Sequence, residues 1–187
     1  MRLLHPYLGL ALSVASAASA QGTAPGETAT ARQQARRCER SNLAEGAAAC
    51  RSALALGIGP ERRGPLRERL ARHLVALEDW DALAEHFRDS VRLEPQSGEA
   101  WLRLGLTLLF ALHQPAEAAS ALEEAVRLAP RDAAARVGLA QALSVSGRAG
   151  AAVAAFEEAL RLDPAVLDGR PAARAAFEAA RRGASWP

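Results

Sequence analysis

Apolar residues recur at three- and four-residue spacing along most of the chain, the period of a helix with one buried face. Between Pro130 and Pro164 the pattern is clearest. Val137, Leu139, Ala140 and Leu143 mark one helical stripe, and Ala152, Ala155, Phe156, Ala159 and Leu160 mark a second. Ser146-Gly147-Arg148 separates them, with Gly147 where a left-handed C-cap would close the first helix. Pro164 ends the second, because the residue before a proline avoids the α region. The phrase ALEEAVRLAP at 121–130 returns as AFEEALRLDP at 155–164, a spacing of 34 residues. That period marks a helix-pair repeat, and the pattern predicts three in-phase units at 64–97, 98–132 and 133–166.

The first unit carries Leu70, Ala71 and Leu74, then Leu83, Phe87, Ser90 and Val91, and closes at Pro95. The second carries Trp101, Leu104, Gly105 and Leu108, then Ala118, Leu122, Ala125 and Val126, and closes at Pro130. Pro95 to Pro130 is 35 residues, so this unit holds one extra residue, expected in the turn Leu112–Pro115, where insertions are tolerated. WLRLG at 101–105, followed by small residues at 118 and 125 and a closing proline, resembles the tetratricopeptide repeat family. Arg67 and Arg136 stand where its tryptophan would be in the flanking units. The resemblance implies an all-α fold, an antiparallel helix-pair solenoid wound into a superhelix. Gly105, Ala118 and Ala125 would let paired helices approach, and each unit needs its neighbours to bury its apolar face. A helix from Asp168 to Gly183, with Phe177 inward and Arg174, Arg181 and Arg182 outward, is expected to cap the stack within 167–187.

Upstream, 31–60 reads as a divergent helical pair. ARQQARRCER at 31–40 is basic, the second pattern runs from Ala44 to Leu56, and Gly57, Gly59 and Pro60 break the chain. Residues 1–20 have the shape of a signal peptide: Arg2, an apolar run from Leu8 to Ala15, and Ala18-Ser19-Ala20 as the cleavage site. The run is shorter than the roughly 20 residues a bilayer span needs, which disfavours an uncleaved anchor. Residues 21–30 then read as a disordered tether. These features predict a bacterial periplasmic or secreted protein. In an exported chain the only cysteines, Cys38 and Cys50, read as a disulfide across the first hairpin; two buried small hydrophobes are the other reading.

The charge does little to change this picture. The 23 cations are all arginine, against 21 carboxylates, and removal of residues 1–20 would leave +1. That is no footprint for nucleic acid. No HExxH, CxxC or glycine-rich phosphate loop occurs, and His73, His86 and His113 lie apart. The expectation is therefore a non-enzymatic module with no catalytic, metal or cofactor site and no stable membrane insertion after signal removal. By the family resemblance, the first helix of each unit lines a concave groove that takes a peptide or partner protein. Its outward positions include Glu68, Arg69, Arg72, Leu102, Arg103, Leu106, Val137 and Gln141. The lysine–asparagine set of the carboxylate-clamp repeats is absent; Glu68, Arg72, Arg103, Ala134 and Gly138 occupy those places. Arg69, Arg72 and Arg103 around Leu102 and Leu106, with Gln141, suit an acidic, partly apolar segment. The competing expectation is a structural subunit of a multi-protein envelope assembly, working through convex or end surfaces. The alternative to an acidic ligand in the groove is that these arginines are solvated or paired with Glu68 and Glu99.

Overall fold

A computed structural model describes residues 27–183. The expected signal peptide at 1–20, the expected tether up to residue 26 and the tail with Trp186 lie outside the described residues. Among the described residues there are helices and no strands. They run α1 (Ala29–Arg40), α2 (Leu43–Ala55), α3 (Pro60–Ala76), α4 (Trp80–Leu93), α5 (Gly98–Phe110), α6 (Pro115–Leu128), α7 (Ala133–Val145), α8 (Ala149–Leu162) and α9 (Pro171–Arg181). None is long and apolar enough to cross a membrane.

The starts of these helices follow from local chemistry. Thr28, Asn42, Asp79, Ser97 and Asp132 each accept a hydrogen bond from a first-turn amide, satisfying donors that the helix leaves unpaired. Pro60, Pro115 and Pro171 open α3, α6 and α9, where the missing N–H costs nothing. Left-handed residues end five of them: Gly57, Glu78, His113, Gly147 and Gly183 all have positive φ. Gly147, at φ +73°, takes the C-cap conformation that its place in the sequence implies. The second unit's inter-helix turn, 111–114, is one residue longer than 77–79 and 146–148 in its neighbours, as the spacing of the prolines predicts.

Two boundaries differ from the sequence reading. The helix α1 begins at Ala29, so it takes in the last two residues expected in the tether. The helix α3 begins at Pro60 rather than near Gly64, because Pro60 serves as its first residue instead of a breaker. Gly64 and Pro65 therefore lie inside α3, and Pro65 removes one helical hydrogen bond. The extra turn grips the first hairpin: Arg62 pairs with Glu27 and Glu39.

Consecutive helices pack antiparallel, and each second helix also packs on the first helix of the next unit. Small residues set the spacing. Gly105 faces Leu122 so closely that an added Cβ would sit 2.5 Å from its Cγ. Ala118, Leu122 and Ala125 are fully buried. Where the family's tryptophan is present, its indole N–H donates to the Pro95 carbonyl at 3.0 Å. In the third unit Arg136 replaces it and donates to the equivalent Pro130 carbonyl at 2.6 Å. In the first unit Arg67 pairs with Glu94 at 2.7 Å instead. An arginine can thus supply the donor, though not the aromatic area. At the far end α9 packs on α7 and α8, with Phe177 against Phe156 at 5.1 Å between ring centroids and Arg181 over the Phe177 ring. Arg174, Arg181 and Arg182 face outward. The other end is closed covalently by the Cys38–Cys50 disulfide between α1 and α2.

Candidate functional site: the first-helix face

The first helices α3, α5 and α7 present aligned positions along one side of the stack. On α5 the stripe is Glu99, Arg103, Leu106 and Phe110, spaced by four, three and four residues. Arg72 on α3 and Gln141 on α7 are the repeat equivalents of Leu106.

The six residues expected to bind fall into different classes. Arg72 is exposed and has no ion-pair partner among the described residues. Leu106 is half-buried against α7, whose Gly138 leaves room for it; a Cβ there would meet Leu106 Cδ2 at 3.1 Å. Arg69 donates to the Glu39 carbonyl at 3.2 Å and so ties α3 to α1. Arg103 donates to Glu99 at 2.6 Å and to Glu68 at 2.5 Å. Burial pulls the Arg103 pKa down, but the hydrogen bonds to Glu99 and Glu68 prevail and hold it above the ordinary arginine value. Leu102 and Gln141 turn inward and are buried, as is Val137. Their positions read as outward in the sequence. Leu102 joins the main core, and α9 packs against α7, the helix that carries Val137 and Gln141.

The exposed apolar surface lies instead at Phe110, which is 54% exposed. The sequence contained its signal: the phase of Glu99, Arg103 and Leu106 places a large aromatic residue on the outward stripe. Arg72 on α3 and Leu106 and Phe110 on α5 thus place a cation without an ion-pair partner among the described residues, and two apolar side chains, at outward positions of neighbouring first helices. The backbones of α3 and α5 stay apart, unlike those of α5 and α7, and the Arg103–Glu68 pair bridges them.

The histidines do not cluster, and no group of metal-ligating side chains is found among the described residues. His73 is buried against α2, where Gly46 makes room for its ring. His86 lies between α3 and α4 beside Arg67 and Ser90. Burial lowers its pKa and Arg67 lowers it further, outweighing Asp89 and Glu68, which raise it; Arg103 adds to the lowering. The folded chain therefore prefers neutral His86, while the unfolded chain protonates near 6.5. The His86 contribution is fully kept above that pH and is lost as pH falls through the depressed folded value. Thermal unfolding followed by circular dichroism should show a falling midpoint from pH 7 to 5, and His86→Gln should flatten that slope. An equal slope in both proteins would remove His86 as its origin.

Helix pairs of this length, stacked through small residues with left-handed turns between them, define a repeat solenoid whose surfaces serve interaction. The tetratricopeptide repeat model matches residues 68–109 and 106–166, more than half the sequence, and the chain belongs to the tetratricopeptide repeat family. It is similar to protein O-mannosyl-transferase Tmtc1 of Drosophila melanogaster, 37% identical over 90 residues. That match covers 47% of this chain and spans only 10% of the transferase. Among solved structures it is similar to MamA, with TM-score 0.66, 19% identity and 82% of each chain covered. It is also similar to YrrB, described as a TPR protein with an unusual peptide-binding site. There the TM-score is 0.60 and identity 22%, over 81% of this chain and 73% of that one. At these identities the likeness establishes the fold.

Proposed function

We propose that this chain is an exported, non-enzymatic interaction module whose first-helix face takes an acidic, partly apolar segment of a partner protein. The observation that carries the reading is Arg72 on α3, an exposed cation without an ion-pair partner among the described residues, at the position aligned with Leu106 on α5, where Phe110 is also exposed. Arginine forks suit carboxylates, and the two apolar side chains suit an apolar residue flanking them. The peptide-binding description of YrrB supports this mode in a chain of the same fold. The match spans only a tenth of Tmtc1, so the relative's transferase activity is not carried over to this chain. The second reading, a structural subunit of a multi-protein envelope assembly, is favoured by Leu93 on a second helix, 63% exposed.

The test is an array of short peptides alternating acidic and apolar residues, probed with wild type and with Arg72→Glu, alone and combined with Arg103→Glu. Retained folding would be checked by circular dichroism. Arg72→Glu should weaken retention about tenfold, roughly 1.4 kcal/mol. Undiminished retention by both variants would eliminate this face.

Export rests on the Arg2, Leu8–Ala15 and Ala18-Ser19-Ala20 pattern. Intact mass of the protein from a bacterial periplasm should correspond to a chain starting at Gln21. Full-length protein held in the membrane fraction would overturn that expectation.

A further inference from the structure

On the opposite side of the stack, α2 and α4 lie over α3, and their backbones do not meet. The gap between them is a cleft of about 600 Å³. Leu70 and Leu74 of α3, both buried, form its floor; Leu54 and Ala82 line it from α2 and α4; Leu93 stands at its mouth, 63% exposed. Leu56, at the end of α2, is another of the exposed large apolar residues.

The charges around this cleft are not equivalent. On the α4 side, Glu85 is held by Arg88 and Asp89 by Arg92. Arg67 is held by Glu94, and the Arg63 Nε–H donates to the Ile58 carbonyl. Arg51 of α2 also lines the cleft, and it has no ion-pair partner among the described residues. The neighbouring gaps between second helices are bridged: Arg88 of α4 reaches Glu117 of α6, and Arg148, just before α8, reaches Glu123 of α6. No such pair links α2 to α4 among the described residues. This gap combines an apolar floor, an exposed leucine at the mouth and a cation without an ion-pair partner among the described residues.

We infer that this cleft takes an acidic amphipathic helix of a partner protein. The helix lies between α2 and α4, with its apolar ridge on Leu70, Leu74 and Leu93 and a carboxylate against Arg51. A helix fits better than an extended peptide because every wall is itself a helix with its backbone already bonded. An extended segment would leave its own N–H and C=O groups without partners, whereas a helix satisfies them internally. From Ala82 to Leu93 the α4 wall is about 16 Å long, three turns of a partner helix. The proposal concerns a different surface from the first-helix face and stands or falls separately from it.

The test uses two fluorescein-labelled, alanine-based helical peptides of sixteen residues with one leucine ridge, flanked by glutamates in one and lysines in the other. Binding to the full chain is read by fluorescence anisotropy. The glutamate peptide should bind and the lysine peptide should not. Arg51→Glu should weaken the glutamate peptide about tenfold and let the lysine peptide bind. Leu93→Asp should weaken the glutamate peptide at least about fivefold, and Arg72→Glu should leave it unchanged. Both cleft substitutions are at exposed positions, and circular dichroism verifies that the variants fold. Failure of the glutamate peptide to bind, equal binding of the two peptides, or insensitivity to Arg51→Glu would overturn the assignment. Loss on Arg72→Glu instead would place the peptide on the first-helix face.

Discussion

Gly105→Leu should lower the stability of the stack by roughly 3 kcal/mol or more, and Gly105→Ala by about 1–3 kcal/mol, in urea unfolding followed by circular dichroism. Helix propensity alone argues the other way, since alanine is favoured over glycine by about 1 kcal/mol inside a helix. Packing decides the sign. A Cβ at 105 would sit 2.5 Å from Leu122 Cγ and 2.9 Å from its Cδ2. Leu122 is fully buried between Ala118 and Ala125, so its branch point has nowhere to move. The helices α5 and α6 would have to separate, and the displacement would pass into α7, which packs on both. Gly138→Ala is the control. There the nearest atoms are the methyl ends of Leu106 and Leu122 at 3.1 Å, and Leu106 is half-exposed and free to turn aside. Its cost should be smaller than that of Gly105→Ala. Ala118→Leu should resemble Gly105→Leu, because Ala118 is also fully buried. Unchanged unfolding of Gly105→Leu would refute the close approach of α5 and α6 as a source of stability.

The three repeats were legible because their apolar positions recur in phase and their prolines count the turns, so even the longer second turn could be placed before any helix was seen. The replacement of tryptophan by Arg67 and Arg136 was visible as a departure. What those arginines do was not, because the Pro130 carbonyl and Glu94 become their partners only when the units stack. The start of α3 at Pro60, ahead of the expected Gly64, has a local reason. A proline after two glycines reads as a break, yet at the first helical position it is a start signal. The binding face was legible in part. Helical phase identifies outward positions within an isolated repeat, but the packing of later elements decides which stay outward. Gln141 and Val137 end up buried on a helix that α9 packs against, and Leu102 joins the main core. Arg103 is engaged by Glu68 and Glu99, the pairing that the sequence offered as the alternative to a free groove cation. The exposure of Phe110 is hard to read from sequence because a phenylalanine beside buried Leu108 and Leu109 passes for core.

Removing the Cys38–Cys50 bridge, by reduction or by Cys38→Ala with Cys50→Ala, should destabilise the first hairpin by about 3 kcal/mol, the value for a loop of this size. The twelve-residue separation gives the chain-entropy part. The rest of the argument lies in what else holds the hairpin. Its buried residues are Ala31, Ala35, Gly46, Ala47, Ala49 and Ala53 besides the two cysteines, so little apolar area is removed from water. Four exposed or half-exposed arginines, at 32, 36, 37 and 40, crowd the outer face of α1. The links to the rest of the stack are fully buried Ile58, His73 in its seat against Gly46, and Arg62 and Arg69 reaching Glu39. The alanines of this end remove less apolar area from water than the leucines and Phe87 of the later units. A linear stack opens from its weakest end, so the loss should appear as early melting of α1 and α2 and not as uniform weakening. Hydrogen exchange should show protection lost across 29–55 in the reduced protein and kept across 98–162. Peptide mapping without reductant should first join the Cys38 and Cys50 peptides. Reduced and oxidised proteins with equal protection in α1 and α2 would mean that the hairpin is held by its alanine core and its contacts with α3 alone.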